Sequence, residues 1–231
     1  MPVYSLPDLA VFPPVELSEP DGLLAIGGDL SIERLIEAYT HGIFPWYSDD
    51  MPILWWSPDP RFILYPDRLH VSRRMERILR SGEFEIRFDT AFRDVITGCS
   101  EAPREGQDGT WIVAEMIEAY VSLHEQGIAH SAEAWKDGKL AGGLYGVSLG
   151  GMFFGESMFA RVSNASKAAF ITLVRKMKEA GIHFIDSQLH TDHLESLGAE
   201  NMTRKEYMDI LNRELDFPTL QGDWGEMLAM K

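Results

Sequence analysis

The sequence has a single cysteine, no long apolar run and few basic residues, and each shortage excludes a class of protein. Cys99 is the only cysteine among 231 residues, so no intrachain disulfide and no cysteine-based zinc site can form. No apolar run approaches the roughly 20 residues that a membrane-spanning helix needs. The N-terminus lacks the basic and apolar segments of a secretory signal. We therefore expect a soluble, cytoplasmic, metal-free protein without a membrane partner.

Acidic residues outnumber basic ones, and many of the basic residues are concentrated in one part of the chain. The formal net charge is −15, which argues against a general affinity for nucleic acid. Residues 61–100 nevertheless hold eight arginines against six acidic residues, whereas residues 1–60 hold one basic residue and ten acidic ones. A basic belt thus lies between two acidic parts of the chain.

Two stretches could bind phosphate groups. In the belt, Arg73, Arg77 and Arg80 recur at the spacing of one helix face. Residues 161–178 form a second stretch with five basic residues and no acidic one. Either stretch alone is most simply a solvated helix face. Together, on so acidic a protein, they predict one localised phosphate site.

Proline and glycine divide the chain into two predicted parts. Residues 1–60 are rich in both, and they contain one amphipathic helix from Ser31 to about His41, with Tyr39 on its apolar face. Flanking prolines limit the segment around Trp55 to a short edge strand. We expect a small N-terminal domain here and a larger domain over residues 61–231.

The larger part predicts an α+β fold. A helix is expected over residues 70–80. Three strands follow near 129–135, 140–148 and 152–159, separated by hairpin turns, before a helix over 165–180 and a strand over 183–186. This order is typical of acetyltransferase-like folds. Those folds carry a glycine-rich loop for a pyrophosphate where this chain has residues 160–166, which include no glycine. The acyl donor is therefore expected to be something other than coenzyme A.

Two carboxylates and one amide are candidates for chemistry. On a regular strand Asp186 and Gln188 would point to the same face, where the carboxylate could orient the amide; alternatively, Asp186 caps the helix near Thr191. Glu156 is expected to share a strand face with Phe154 and Met158. It is either a solubilising charge on an edge strand or a functional carboxylate on a covered strand.

Tryptophans and histidines add weaker signals. Trp46 and Trp111 lie in predicted loops, so stacking on a base is credible, whereas Trp55 and Trp56 are expected in the core. His190 and His193 have metal-ligand spacing, but capping or surface roles are favoured because no carboxylate clearly joins them.

Seven ordered blocks of the sequence resemble the bacterial leucyl/phenylalanyl-tRNA–protein transferase family over nearly the whole chain. The blocks are DGLLAIGGDL (21–30), GIFPW (42–46), ILWWSPDPR (53–61), GTWI (109–112), GGLYGV (142–147), GESMF (155–159) and DHLESLGA (192–199). One such block would be weak support, but seven in order are highly specific.

The resemblance implies a small N-terminal domain and a GNAT-like catalytic domain. It implies transfer of Leu or Phe, and also Met, from aminoacyl-tRNA to the N-terminal Arg or Lys of an acceptor protein, which marks that protein for N-degron degradation. Leucyl-tRNA and phenylalanyl-tRNA would be bound at the acceptor end. No cofactor is implied, and we expect a monomer.

The resemblance also implies roles for individual residues. Asp186 would act as a base or an electrostatic anchor and Gln188 as an orienting amide, while Glu156 would bind the cationic acceptor or orient its amine. The remaining roles are an apolar aminoacyl pocket (Leu144, Phe153, Met158, Leu173 and Ile185), adenosine stacking (Trp46 and Trp111) and tRNA phosphate binding (Arg73, Arg74, Arg77 and Arg80). Leu144 and Leu173 stand where Met and Phe are expected in well-known members.

Two rival functions remain from the sequence. One is an ordinary coenzyme A-dependent N-acetyltransferase, against which the missing glycine-rich loop counts. The other is a non-catalytic adaptor that delivers proteins with N-terminal Arg or Lys to a protease. The presence of Asp186, Gln188 and Glu156 counts against the adaptor.

Overall fold

Two β-sheets organise the part of the chain that the computed structural model describes, residues 3–102 and 110–228. The first sheet has the order β1-β2-β4-β3. Its strands are β1 (Tyr4–Ser5), β2 (Leu23–Ile26), β3 (Phe44–Pro45) and β4 (Leu54–Trp56). The second has the order β11-β5-β10-β9-β8-β7-β6. Its strands are β5 (Arg61–Leu64), β6 (Glu85–Phe88), β7 (Ala129–Lys136), β8 (Lys139–Leu149), β9 (Met152–Ala160), β10 (Phe184–Asp186) and β11 (Glu200–Met202).

The helices begin and end at local signals. They are α1 (Ile32–Thr40), α2 (Arg73–Ser81), α3 (Phe92–Glu101), α4 (Ala114–Glu125), α5 (Ala165–Ala180), α6 (Asp192–Glu195), α7 (Arg204–Glu214) and α8 (Trp224–Met227), with 3₁₀ turns at Val15–Leu17 and Pro66–Arg68. Helix α2 starts three residues later than predicted because Ser72 is its N-cap and accepts from the Met75 amide. Among the described residues, no helix is both long enough and apolar enough to cross a bilayer.

The predicted α+β order is confirmed. Strands β6 to β9 form an antiparallel meander, and α5 then leads to β10, which lies parallel to β9. A small N-terminal part precedes this larger unit. Phe170 and Val174 of α5 pack in the cluster on one face of the second sheet. On the other face a second cluster joins α3 and α4 to the first sheet, with Trp55 fully buried in it.

The prediction of an edge strand around Trp55 is wrong. Strand β4 lies between β2 and β3 and pairs with both of them. The prolines that suggested an edge, Pro52 and Pro58, lie outside the strand, so they remove no hydrogen-bond donor from its ladder.

A β-bulge interrupts β9 at Glu156. Tyr145 of β8 pairs with Ser157, whereas the next residue, Gly146, pairs with Gly155, so Glu156 has no partner across the ladder. Side chains that would share one face of a regular strand therefore lie on opposite faces of the sheet before and after the bulge. Phe154 packs in one core cluster and Met158 in the other. The prediction that Glu156 shares a regular strand face with both is wrong, because that pattern assumed an unbroken alternation.

The bulge allows a stability test with a matched pair of glycines. A Cβ at Gly146 would lie 2.2 Å from the Phe154 carbonyl oxygen and 2.6 Å from the Phe153 ring, whereas a Cβ at Gly155 would meet nothing closer than 3.7 Å. We expect Gly146→Ala to lower the free energy of unfolding by about 3 kcal/mol in urea titrations. The control, Gly155→Ala, should change it by less than about 1 kcal/mol. Equal effects of the two changes would contradict this packing.

Candidate active site

A fully buried ion pair between Arg61 and Asp186 lies at the junction of β5 and β10. The Arg61 Nε and Nη2 atoms donate to the Asp186 carboxylate at 2.9 and 2.7 Å, and the side chains are 1% and 0% exposed. The same carboxylate accepts hydrogen bonds from the Tyr207 hydroxyl at 2.8 Å and from the backbone N–H of Gln188 at 2.9 Å. The third guanidinium nitrogen donates to the Gly42 carbonyl. Burial alone would lower the pKa of Arg61, but the Asp186 charge raises it on balance.

The chain turns sharply between Asp186 and Gln188. Strand β10 ends at Asp186, and Gln188 has φ = 55°. The two side chains therefore do not share the face of one regular strand, because the backbone is not extended between them. The capping alternative is also wrong, since Thr191 is the N-cap of α6 and accepts from the Leu194 amide.

Glu156 carries a second polar network next to the first. Its carboxylate accepts from the Tyr39 hydroxyl at 2.7 Å, from the Tyr120 hydroxyl at 3.3 Å and from the Gln188 side-chain amide at 3.3 Å. The two tyrosine hydroxyls also contact each other. Burial is the main cause that raises the pKa of Glu156 to about 7, and the Asp186 charge adds to it, while the tyrosine hydrogen bonds oppose the rise. This carboxyl group can therefore exchange a proton near neutral pH.

The alternative of a solubilising edge charge at Glu156 is wrong. Strand β9 lies inside the second sheet, between β8 and β10. The Glu156 carboxylate accepts hydrogen bonds from hydroxyl and amide groups of α1, α4 and the loop after β10.

Four residues of these networks carried no functional assignment from the sequence: Tyr39, Arg61, Tyr120 and Tyr207. Tyr39 was expected only as an apolar-face residue of α1. Arg61 closes one of the seven sequence blocks, directly after Pro60, and that position is the one signal that the sequence gives for it. Tyr120 and Tyr207 lie on amphipathic helices where a tyrosine suits a core position.

A cleft of about 1120 Å³ opens beside the first sheet, and both Trp46 and Trp111 line it. The structure thus brings together the two tryptophans that were predicted to stack on a base. Gly109, which begins the GTWI block that contains Trp111, lies outside the described residues. Trp56 packs against the core cluster that contains Trp55, as predicted, and its other side lines the cleft. Its indole nitrogen donates a hydrogen bond to the Trp46 carbonyl.

The cleft lies close to the Glu156 network. Ile117 of α4 lines the cleft, and Tyr120 follows it by one helical turn. Tyr47 lines the cleft as well. Burial is the main cause that raises the pKa of the Tyr120 hydroxyl, with contributions from the Glu156 and Tyr47 side chains. Helix α4 thus joins the cleft wall, through Ile117, to the Glu156 carboxylate, through the Tyr120 hydroxyl.

The residues predicted to form the aminoacyl pocket lie together in one apolar cluster. Leu144, Phe153, Leu173 and Ile185 are at most 2% exposed, and the partly buried Met158 packs against them. Phe153 pairs with Ile185 across β9 and β10, and Leu144 pairs with Met158 across β8 and β9. None of the five lines the cleft that holds Trp46 and Trp111.

The four arginines of α2 (Arg73, Arg74, Arg77 and Arg80) are exposed, and within the described residues none of them forms an ion pair. Helix α2 packs beside α5, and Arg175 of α5 binds Glu76 of α2. Basic residues of the second stretch are mostly paired with acidic ones, as in the contacts of Lys178 with Asp67 and Arg161 with Glu101. The α2 arginines thus form a group of exposed basic side chains that is available for an anion.

The histidine at position 190 is exposed, as expected for a surface role. Its Nε2 atom lies 3.3 Å from a Glu195 carboxylate oxygen. Donor atoms of His190, Asp192 and Glu195 lie within 4.8 Å of one another. Two carboxylates therefore do approach this histidine, contrary to the sequence argument, while His193 is not part of the group. Exposed groups of this kind also occur without a metal ion.

Comparison with known proteins identifies relatives over the whole chain. The model for the leucyl/phenylalanyl-tRNA protein transferase family matches residues 63–212, and that for its N-terminal domain matches residues 28–59. A leucyl/phenylalanyl-tRNA–protein transferase of Myxococcus xanthus is 55% identical over 99% of both chains. One of Desulfatibacillum aliphaticivorans is 56% identical over 97% of this chain and 96% of the relative.

These matches define an aminoacyltransferase. The chain belongs to the leucyl/phenylalanyl-tRNA–protein transferase family. Among solved structures, a GCN5-related N-acetyltransferase from Kribbella flavida is 12% identical with a TM-score of 0.38, covering 73% of this chain and 60% of that one. A TM-score this low supports no conclusion about fold or function.

The buried ion pair allows a test with a matched arginine. We expect Arg61→Met to lower the free energy of unfolding by about 3–5 kcal/mol, because it leaves the Asp186 carboxylate buried and without its cation. Arg68, which pairs with Glu200 at an exposed site, is the control, and Arg68→Met should cost less than about 1 kcal/mol. Denaturant titration measures both changes, and a small effect of Arg61→Met would contradict the assignment of a strongly coupled pair.

Proposed function

We propose that this aminoacyltransferase moves Leu, Phe or Met from its charged tRNA to the α-amine of a protein that begins with Arg or Lys. The modified protein would thereby be marked for N-degron degradation. The observation that most directly supports the proposal is the meeting of Glu156 and Gln188 beside the buried Arg61–Asp186 pair, next to the cleft lined by Trp46 and Trp111.

The donor is an ester, so the enzyme has mainly to position a deprotonated amine against its carbonyl carbon. An α-ammonium group has a pKa of about 7.7–8, close to the value of about 7 for the Glu156 carboxyl. We assign Glu156 as the group that accepts one proton from the acceptor ammonium and passes it to solvent. The free amine then attacks the ester carbon, and the bond from that carbon to the ribose oxygen breaks. The second proton lost from nitrogen leaves with that oxygen as a hydroxyl.

Asp186 is assigned as an electrostatic anchor rather than as the base. Its two oxygens already accept four hydrogen bonds, from Arg61, Tyr207 and the Gln188 backbone. It therefore has little capacity left for a substrate proton. By holding the Gln188 backbone it fixes the side-chain amide that faces Glu156, and that amide would orient the incoming amine.

The apolar cluster of Leu144, Phe153, Met158, Leu173 and Ile185 would receive the donor side chain. Met158 is its partly exposed member, so this flexible thioether side chain would form the mouth of the pocket. A donor side chain that is unbranched at Cβ would enter the pocket more readily than the β-branched side chain of Ile or Val. Differences of one methyl group give limited selectivity, on the order of 10–200-fold.

The tRNA would be held by two separate surfaces. Trp46 and Trp111 would enclose the terminal adenosine in the cleft. The unpaired arginines of α2 (Arg73, Arg74, Arg77 and Arg80) would bind acceptor-stem phosphates without reading bases, so binding of leucyl-tRNA and phenylalanyl-tRNA would weaken as salt rises. We also propose two domains, residues 1–60 and 61–231, in a monomer that works in the cytoplasm.

A purified-component assay tests this function. We expect labelled phenylalanine to pass from phenylalanyl-tRNA to a peptide that begins with Arg, without acetyl-CoA. Transfer should fall by at least about 100-fold in Glu156→Gln, as for the loss of a general base. An absence of transfer by the folded protein would favour the adaptor alternative, and tight acetyl-CoA binding with acetylation of the peptide would favour the N-acetyltransferase.

The pKa of Glu156 predicts the pH dependence of transfer. The carboxylate is the active base form, so the rate should rise with pH through a midpoint near 7. Tyr39→Phe removes a hydrogen bond that favours the carboxylate, so the pKa of Glu156 should rise and the midpoint should move to higher pH by about half a unit or more.

Single-turnover rates between pH 5.5 and 9 measure this shift. Titration of the acceptor amine contributes equally in all variants. Tyr65→Phe, at a residue whose ring packs on Phe184, is the control and should leave the profile unchanged. A midpoint that does not move in Tyr39→Phe argues against Glu156 as the titrating base.

A further inference from the structure

The cleft beside Trp46 has a negative rim. Asp49 and Asp50 line it, and both are exposed. Among the described residues that line the cleft, none is a lysine, arginine or histidine. Carboxylates at an open cleft attract cations and repel phosphates. The rim therefore suits a positively charged group better than it suits the nucleotide backbone.

Tyr47 supplies an unsatisfied polar group in the same wall. It lines the cleft but is only 6% exposed, and its hydroxyl has no hydrogen-bond partner among the described residues. Burial is the main cause that raises its pKa to about 12, with contributions from Glu115 and Asp49, so the hydroxyl stays neutral. Leaving such a group unpaired costs about 1–3 kcal/mol. A ligand N–H donor that reached it would remove that cost.

Glu156 is poorly suited to bind a fixed cation. Its carboxylate already accepts from Tyr39, Tyr120 and Gln188. A carboxyl group with a pKa of about 7 is also only partly ionised at neutral pH. If it exchanges a proton with the acceptor amine, the basic side chain of the same residue needs other carboxylates. The carboxylates that line the cleft are those of Asp49 and Asp50.

We propose that Asp49, Asp50 and the Tyr47 hydroxyl form a subsite for the guanidinium or ammonium group on the first residue of the acceptor protein. The proposal rests on the proposed function, since it names where that acceptor's charge is recognised. The cleft volume of about 1120 Å³ exceeds the roughly 300–1,000 Å³ typical of a pocket for one small molecule. It therefore leaves room for a basic side chain beside an adenosine.

Two peptides that differ in one charge test the subsite. One begins with Arg and the other with citrulline, which has nearly the same shape but no positive charge. We expect the double variant Asp49→Asn/Asp50→Asn to raise the KM of the Arg peptide by about three- to tenfold with kcat unchanged. The KM of the citrulline peptide should stay the same, so the preference of the wild type for Arg should shrink by the same factor.

The control is Asp8→Asn/Asp216→Asn, which removes the same net charge at exposed positions outside the cleft. It should leave the Arg preference unchanged. Tyr47→Phe, whose folding is checked by its melting temperature, should raise the KM of the Arg peptide alone. Transfer by the wild type establishes the function independently. An unchanged Arg preference in Asp49→Asn/Asp50→Asn, or an equal loss with both peptides, would overturn the subsite while leaving the transferase activity intact.

Discussion

The ion pair between Arg61 and Asp186 is the contact on which the rest of the site depends. Both groups are removed from water, so neither can lose its partner without exposing an uncompensated charge to the protein interior. The pair also fixes its surroundings. It connects β5 to β10, the last long helix through Tyr207, and the end of α1 through the Gly42 carbonyl. Four parts of the chain are thereby held against one another at one point.

Two carboxylates in this site have opposite surroundings. Asp186 faces a guanidinium group, whereas Glu156 is met by hydroxyl and amide groups that bring no formal positive charge. Different environments give chemically similar side chains different tasks. The one beside the cation organises the backbone around Gln188, and the other is free to gain and lose a proton. The bulge in β9 contributes to this difference, because it leaves Glu156 without a pairing partner on β8.

Most of the fold could be predicted from the sequence because its signals are local. The hairpin turns and the apolar spacing of α5 each lie within a short segment, and Glu156 stood out as a charge among apolar neighbours. The contacts that complete the site are not local. Tyr39 lies 117 residues from Glu156, and Arg61 lies 125 residues from Asp186. A one-residue bulge and the positive φ of Gln188 also leave no mark in a hydrophobic pattern.

The way Tyr207 closes the site has a consequence for biosynthesis. Its hydroxyl completes the shell around Asp186, and it lies on a helix that follows every strand of both sheets. A growing polypeptide on the ribosome therefore lacks this part of the shell until residue 207 has left the exit tunnel. Until then the nascent chain would be surrounded by charged tRNA without a completed site with which to use it.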